Sequence, residues 1–253
     1  MTIHKAPQGN PGDIMNWPMI KIEYRTDADA IARQLPPGFT VGRDPKVYLT
    51  IYNYPVNDRP ELGCTMMVAA DYNGTEGQYA LGYAIDQEDE IYVSREHWGQ
   101  PKFEAKIVYH RLMADVTAKV IHRGHTFIEF NGSVAKTDGP GEEFEINEWW
   151  VKASRATTME PGKFDMDPHV VRVYQKYSTA FRQTLKGDLI LRESAHDPIA
   201  QRLPIREVVD MYLWTPNFLE RSITKEGPLD PEGYWPHAET LHGSRFPAVE
   251  GKI

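Results

Sequence analysis

The chain has a single cysteine, Cys64, among its 253 residues. A lone thiol cannot close an intrachain disulfide or build a zinc site by itself, and the expected setting is a reducing compartment. Long apolar runs are missing as well. No stretch approaches the ~18 residues that a membrane helix requires, and the opening Met1–Asp13 has no apolar run of the secretory type. Positive charge is scarce: 28 Lys and Arg stand against 36 Asp and Glu, giving a net charge of −8. Nucleic acid and anionic membranes both need a positive field, so neither is expected as a partner. An anionic small molecule would need positive charge concentrated at its site. The sequence also has no phosphate loop, dinucleotide fingerprint or Gly-x-Ser-x-Gly elbow, no internal repeat and no low-complexity tract. A soluble cytoplasmic protein is the expectation.

What is present is mostly period two. Ile20–Tyr24, Lys46–Tyr54, Gly63–Tyr72, Gln78–Ile85, Glu104–Tyr109, Asp115–Ile121, Thr126–Val134 and Phe144–Ala153 read as strands rich in β-branched and aromatic residues. Val170–Tyr177, Phe181–Arg192 and Glu207–Leu213 continue the pattern, and Asn73-Gly74 and Arg123-Gly124 read as turns. One short helix is expected: Thr26-Asp27-Ala28-Asp29 has the form of a capping box, Ile31 and Leu35 share a face, and Pro36-Pro37-Gly38 stops it. The run Gln87–Glu90 reads as a solvated loop. The sum is a mainly β, antiparallel architecture, barrel-like or cone-shaped, because closure removes exposed edges.

A single domain over 1–253 is expected, with its core at about 19–223, an arm over 1–18 and a tail over 226–253. The tail holds Pro228, Pro231, Pro236 and Pro247 among Tyr234, Trp235 and Phe246. It is either disordered or laid on a surface, a neighbouring subunit's included. Trp149-Trp150 on a strand sends one ring inward and one outward, the outward one toward a subunit contact. His122 and His125 flank a turn without further ligands at metal spacing, so a surface hairpin is expected. His196-Asp197 before Pro198 reads as an Asx-type turn.

The most specific stretch is Ser94-Arg95-Glu96-His97-Trp98-Gly99-Gln100-Pro101-Lys102. It resembles the Gly-Arg-Glu-x-x-Gly-x-Pro-Lys signature of the acetoacetate decarboxylase family, with Ser94 where that family usually has Gly. Other segments agree in order. Tyr24-Arg25-Thr26-Asp27 is similar to the family's opening, Tyr72-Asn73-Gly74 with Gly77 to its centre, and Ser194–Pro198 with Leu203–Val209 to its close. The resemblance implies the family's β fold, a homo-oligomer, and chemistry needing no metal or organic cofactor. It also implies that Lys102 forms a Schiff base with a ketone substrate.

A lysine amine attacks a carbonyl only when uncharged, and an unperturbed lysine, with a pKa near ~10.4, is protonated at neutral pH. Burial or a nearby cation favours the neutral form. The family usually places a second lysine directly after the nucleophile, and acetoacetate decarboxylase is the standard instance of that cationic activation. Here the next residue is Phe103, so desolvation has to do the work. The protonated imine is an electron sink for a departing CO2, a departing aldehyde or an α-proton, so one lysine serves decarboxylation or aldol chemistry.

Family members also use a glutamate on a neighbouring strand. Direct spacing puts Gly63 there, and a two-residue slip that keeps the same face brings in Glu61. The family's early arginine, the residue expected to meet the substrate carboxylate, aligns with Trp17, and another family glutamate with Thr50. The resemblance therefore makes Lys102 and Glu61 the expected catalytic pair. Arg95, Glu96, Trp98, Gln100, Phe103 and Trp17 are the expected substrate-binding set, with no metal ligands. Arg95 and Glu96 also read as an ion pair holding the loop before Lys102, and Trp98 as plain core packing.

The expected reaction is carbon–carbon bond cleavage or formation on a small oxo acid, with an aldehyde as co-substrate if it is an aldol condensation with dehydration. Phe103 and Trp17 tilt the reading to that reaction over simple decarboxylation. Two alternatives stay open: a binding protein that kept the pocket without the chemistry, and a hydrolase or isomerase that uses no imine.

Overall fold

The computed structural model describes residues 18–56, 59–238 and 243–248. The expectation for Trp17 lies outside the described residues. Strands dominate: β1 (Met19–Arg25), β2 (Phe39–Val41), β3 (Lys46–Val56), β4 (Arg59–Tyr72), β5 (Thr75–Ile85), β6 (Lys102–Glu104), β7 (Lys106–Leu112), β8 (Asp115–His122), β9 (His125–Arg155), β10 (Phe164–Leu191) and β11 (Glu207–Pro228). Four helices accompany them among the described residues: α1 (Ala28–Ala32), α2 (Glu88–Trp98), α3 (Ile199–Arg202) and α4 (Pro231–Ala238).

All eleven strands join one sheet in the order β6-β5-β4-β3-β1-β11-β10-β9-β8-β7, with β2 on β4. Pairing is antiparallel except at β5–β6 and at a two-residue β5–β9 contact that brings the sheet back on itself. Hairpin turns at Asn73-Gly74 and Arg123-Gly124 have positive φ at both residues, as a two-residue turn between right-twisted strands demands. The breaks expected between Val134 and Phe144, and between Tyr177 and Phe181, do not interrupt the strands. β9 and β10 each run through, absorbing the irregular residues as register shifts against one another.

Around the site, alternation gives the strands β1, β3, β4 and β5 two covered faces. The main core takes Ile20, Ile22, Leu49, Ile51, Cys64 and Phe103, with Trp149 among them. A smaller cluster on the opposite face holds Tyr52, Met67, Tyr83, Ile85, Ile91 and Trp150. The two tryptophans do point opposite ways, but both are buried, so the outward ring expected at a subunit contact is covered by its own chain.

Two further expectations are corrected, and an open alternative is resolved. The cap of α1 is Asp27, with no side-chain cap bond, while Thr26 Oγ1 is buried without a partner among the described residues. Asp27 is occupied by Arg206, which donates to its carboxylate. Gln87 and Glu88–Glu90 form the cap and first turn of α2 instead of a loop, and the three acidic side chains there suit the positive helix end. The described residues of the tail, 226–238 and 243–248, pack on their own chain. Tyr234 and Phe246 enter the main core, Arg245 N–H donates to the Leu81 carbonyl, and Arg202 holds the Pro247 carbonyl.

Candidate active site

α2 sets the position of Lys102. The helix ends at Gly99, whose φ of 73° is left-handed; Gly99 N–H donates to the Arg95 carbonyl and Gln100 N–H reaches back to the Ser94 carbonyl. A Cβ at Gly99 would also lie 2.4 Å from the Val151 carbonyl oxygen on β9, so only glycine fits. The chain then turns through Gln100-Pro101 into β6, which lies parallel to β5 with Lys102 beside Tyr83. Arg95 ties this corner down by donating to the carbonyls of Lys102 and Gly243. Its guanidinium is thus spent on backbone, and the ion pair expected with Glu96 does not form. Burial, then the neighbouring charge of Arg245, pushes Arg95 down to about 10, which leaves it charged at neutral pH.

Lys102 is 6% exposed and Glu61 3%, and Lys102 Nζ lies 3.0 Å from Glu61 Oε2. The other carboxylate oxygen accepts a 2.8 Å hydrogen bond from Tyr52. Gly63 makes this arrangement possible. A Cβ there would sit 2.2 Å from Tyr52 Cζ, so the missing side chain lets the phenol lie across β4 and reach Glu61. Glu61 and Gly63 share a face of that strand, as the two-residue slip requires. Burial first, then the Glu61 charge, holds the Tyr52 hydroxyl well above its ordinary range, so it stays a neutral donor.

The pair forms part of the wall of a cavity of about 660 Å3. Trp98 and Gln100 line it, together with four side chains that sequence reasoning missed: Lys21, Tyr52, Glu148 and Arg221. Tyr83 donates to Glu148 at 2.7 Å, and burial, then the Glu148 charge, pushes its hydroxyl well up. The only signal for Lys21 was its place in an alternating strand, between Ile20 and Ile22.

Arg95, Glu96 and Phe103 do not line this cavity. They border a separate hollow of about 750 Å3 behind the Lys102 backbone, with His122 and Gly243. Phe103 follows Lys102 on a strand, so its ring must point to the other face, where it packs on the His122 ring. His122 and His125 do flank an exposed hairpin turn, but the His122 side chain points inward: it is buried, and its Nδ1 lies 2.9 Å from Asp197. The turn at 194–197 is made by Ser194 Oγ, which accepts from the His196 and Asp197 N–H groups, so the Asx-type turn does not form. Among the described residues no cluster of His, Cys, Asp and Glu could hold a metal ion. No described helix is long and apolar enough to cross a membrane.

Comparison with known proteins agrees with the signature. The acetoacetate decarboxylase (ADC) family model matches residues 1–226. The chain belongs to the acetoacetate decarboxylase family. A curated acetoacetate decarboxylase from Clostridium botulinum is 33% identical over 119 residues, 46% of each chain, so the match spans about half the length of that relative. A solved acetoacetate decarboxylase superposes with a TM-score of 0.73 at 16% identity, covering 84% of this chain and 88% of the other. The enduracididine biosynthesis enzyme MppR complexed with pyruvate superposes with a TM-score of 0.64 at 15% identity, covering 81% and 87%. MppR has also been solved with the condensation product of pyruvate and imidazole 4-carboxaldehyde. These likenesses establish the same mostly-strand fold.

Proposed function

We propose that this protein is a lyase that bonds Lys102 to the carbonyl carbon of a small oxo acid. The observation that carries the reading is the buried Lys102–Glu61 contact in the wall of a cavity. With both side chains buried, passing one proton from Nζ to Glu61 turns a costly ion pair into a neutral amine and acid. The amine adds to the ketone, and Glu61 returns its proton as the oxygen leaves as water. The imine nitrogen then accepts the electron pair released by loss of CO2 or of an α-proton. The resulting enamine takes up a proton or adds to an aldehyde, and hydrolysis frees Lys102.

The size of the cavity favours the second fate, in which an aldehyde joins and water is lost. About 660 Å3 lies within the ~300–1,000 Å3 of ordinary ligand sites and far exceeds a three- or four-carbon acid. MppR's complex with a pyruvate–aldehyde product supports the same fate. A homo-oligomer is part of the proposal, supported by the exposed Phe181, Phe218 and Ile223 on β10 and β11.

Borohydride reduction with acetoacetate or pyruvate, followed by peptide mass mapping, tests the imine. The expected result is one adduct, on Lys102. Unmodified protein that still binds the acid would make it a binding protein. Turnover that survives Lys102→Ala would point to imine-free chemistry. Carbon dioxide release from acetoacetate, measured against aldol product from pyruvate and an aldehyde, separates the two fates.

A further inference from the structure

Lys102 stands at one end of a row of residues paired across five strands. Tyr83 on β5 is its partner, followed by Thr65 on β4, Thr50 on β3 and Lys21 on β1. Residues paired in this way share one face of the sheet, and Lys102, Thr65, Thr50 and Lys21 all line the same cavity. The two lysines of the row differ. Lys102 is matched by Glu61 at 3.0 Å. Lys21 has no carboxylate at ion-pair distance among the described residues, and its ammonium rests over the Trp214 ring at 5.2 Å from the centroid. Glu148 and Glu23 attract it from farther off, but burial outweighs them and pushes its pKa down. Glu148 meanwhile accepts from Tyr83. A cation held in a cavity without an anion in contact has unused binding capacity. In a chain of net charge −8 it also supplies the local positive field that an anionic ligand needs.

We propose that Lys21 binds the carboxylate of the substrate, in the same cavity in which Lys102 takes the carbonyl. The assignment rests on the imine reading of Lys102, and it gives the cavity a polarity. A ketone acid is held at both ends, whereas a neutral ketone is held at one. Lys21 is thereby a specificity-determining residue.

The test compares acetoacetate with acetone as borohydride-trapped ligands of the full-length wild type, Lys21→Gln and Lys21→Arg. Lys21→Gln is expected to raise the half-saturating acetoacetate concentration about tenfold to a hundredfold, the loss of one charge-assisted hydrogen bond, with acetone changed by less than about twofold. Lys21→Arg is expected to restore most of the acetoacetate affinity. An unchanged acetoacetate value, or an equal change for both ketones, overturns the assignment. Lys21→Met, which keeps the apolar stem, serves in its place if the glutamine variant does not fold.

Should wild-type Lys102 stay unmodified, the imine reading has failed, and Lys21 is read from calorimetric binding of 3-hydroxybutyrate. That acid has a carboxylate and no ketone. Loss of its binding in Lys21→Gln with rescue in Lys21→Arg then supports the carboxylate role. Equal binding in the wild type and Lys21→Gln overturns it.

Discussion

Two neighbouring rows of side chains cross the same five strands, one residue out of step. Ile20, Ile51, Cys64, Ala84 and Phe103 pair in sequence and point into the main core. Lys21, Thr50, Thr65, Tyr83 and Lys102 pair in the same sequence and point to the opposite face. The first row is wholly apolar. The second carries two amines, two hydroxyl side chains and a phenol, and most of it borders a cavity. Because a β-strand alternates strictly, the sheet separates its structural and chemical demands onto two sides of one backbone. The adjacent positions Lys102 and Phe103 mark that division most sharply.

Removing chemistry from the polar row should leave the fold in place. Lys102→Met is expected to lower turnover by about 10⁴-fold or more, as loss of a covalent nucleophile does, with near-native circular dichroism. Measurable residual turnover above a few per cent would break the assignment of chemistry to this face. Glu61→Gln should cost about 10²- to 10⁴-fold in the rate of imine formation, the usual worth of a general acid–base group, followed by stopped-flow with acetoacetate. A smaller loss would shift the acid–base role to another group.

The apolar row should behave in the opposite way. Phe103→Ala removes a ring that is 5% exposed and is expected to destabilise the protein by about 3–5 kcal/mol in urea titration. Borohydride trapping of the folded fraction should persist. Loss of trapping without loss of stability would mean that the ring serves the site after all.

The smallest effect expected is one of pH, on the tail that covers the core. His237 is buried against Tyr234, and burial pushes its pKa down from 6.5 to about 4. The unfolded chain therefore binds the proton first. Stability from this group is present above about pH 6.5 and is lost as pH falls toward 4, by about 3 kcal/mol at most. Urea midpoints at pH 7 and pH 5, compared with those of His237→Asn, isolate it. A variant with the same pH slope as the wild type would clear His237 of the effect.

The strands were legible because their apolar residues alternate, and the Asn73-Gly74 and Arg123-Gly124 turns because few residues tolerate positive φ. α2 was not, for a physical reason. Only Ile91 and Ser94 of that helix are buried while Tyr92 and Val93 face solvent, so no helical period shows. The continuous β9 was hidden because alternation fades between Val134 and Phe144, where Gly139, Pro140 and Gly141 lie and where register shifts against β10 absorb the irregular residues. Glu61 could be proposed from the face it shares with Gly63. The reason it works, a phenol lying over the bare glycine, lies between strands.

Alone, the sequence determined the sheet and the lysine after Gln100-Pro101, because alternation, turn residues and a contiguous signature are local properties of a chain. Only the tertiary structure decided which side chains share a cavity with that lysine. Lys21, Tyr52, Glu61 and Glu148 come from four strands, and their meeting depends on register and sheet closure, which are long-range pairings that no local pattern encodes.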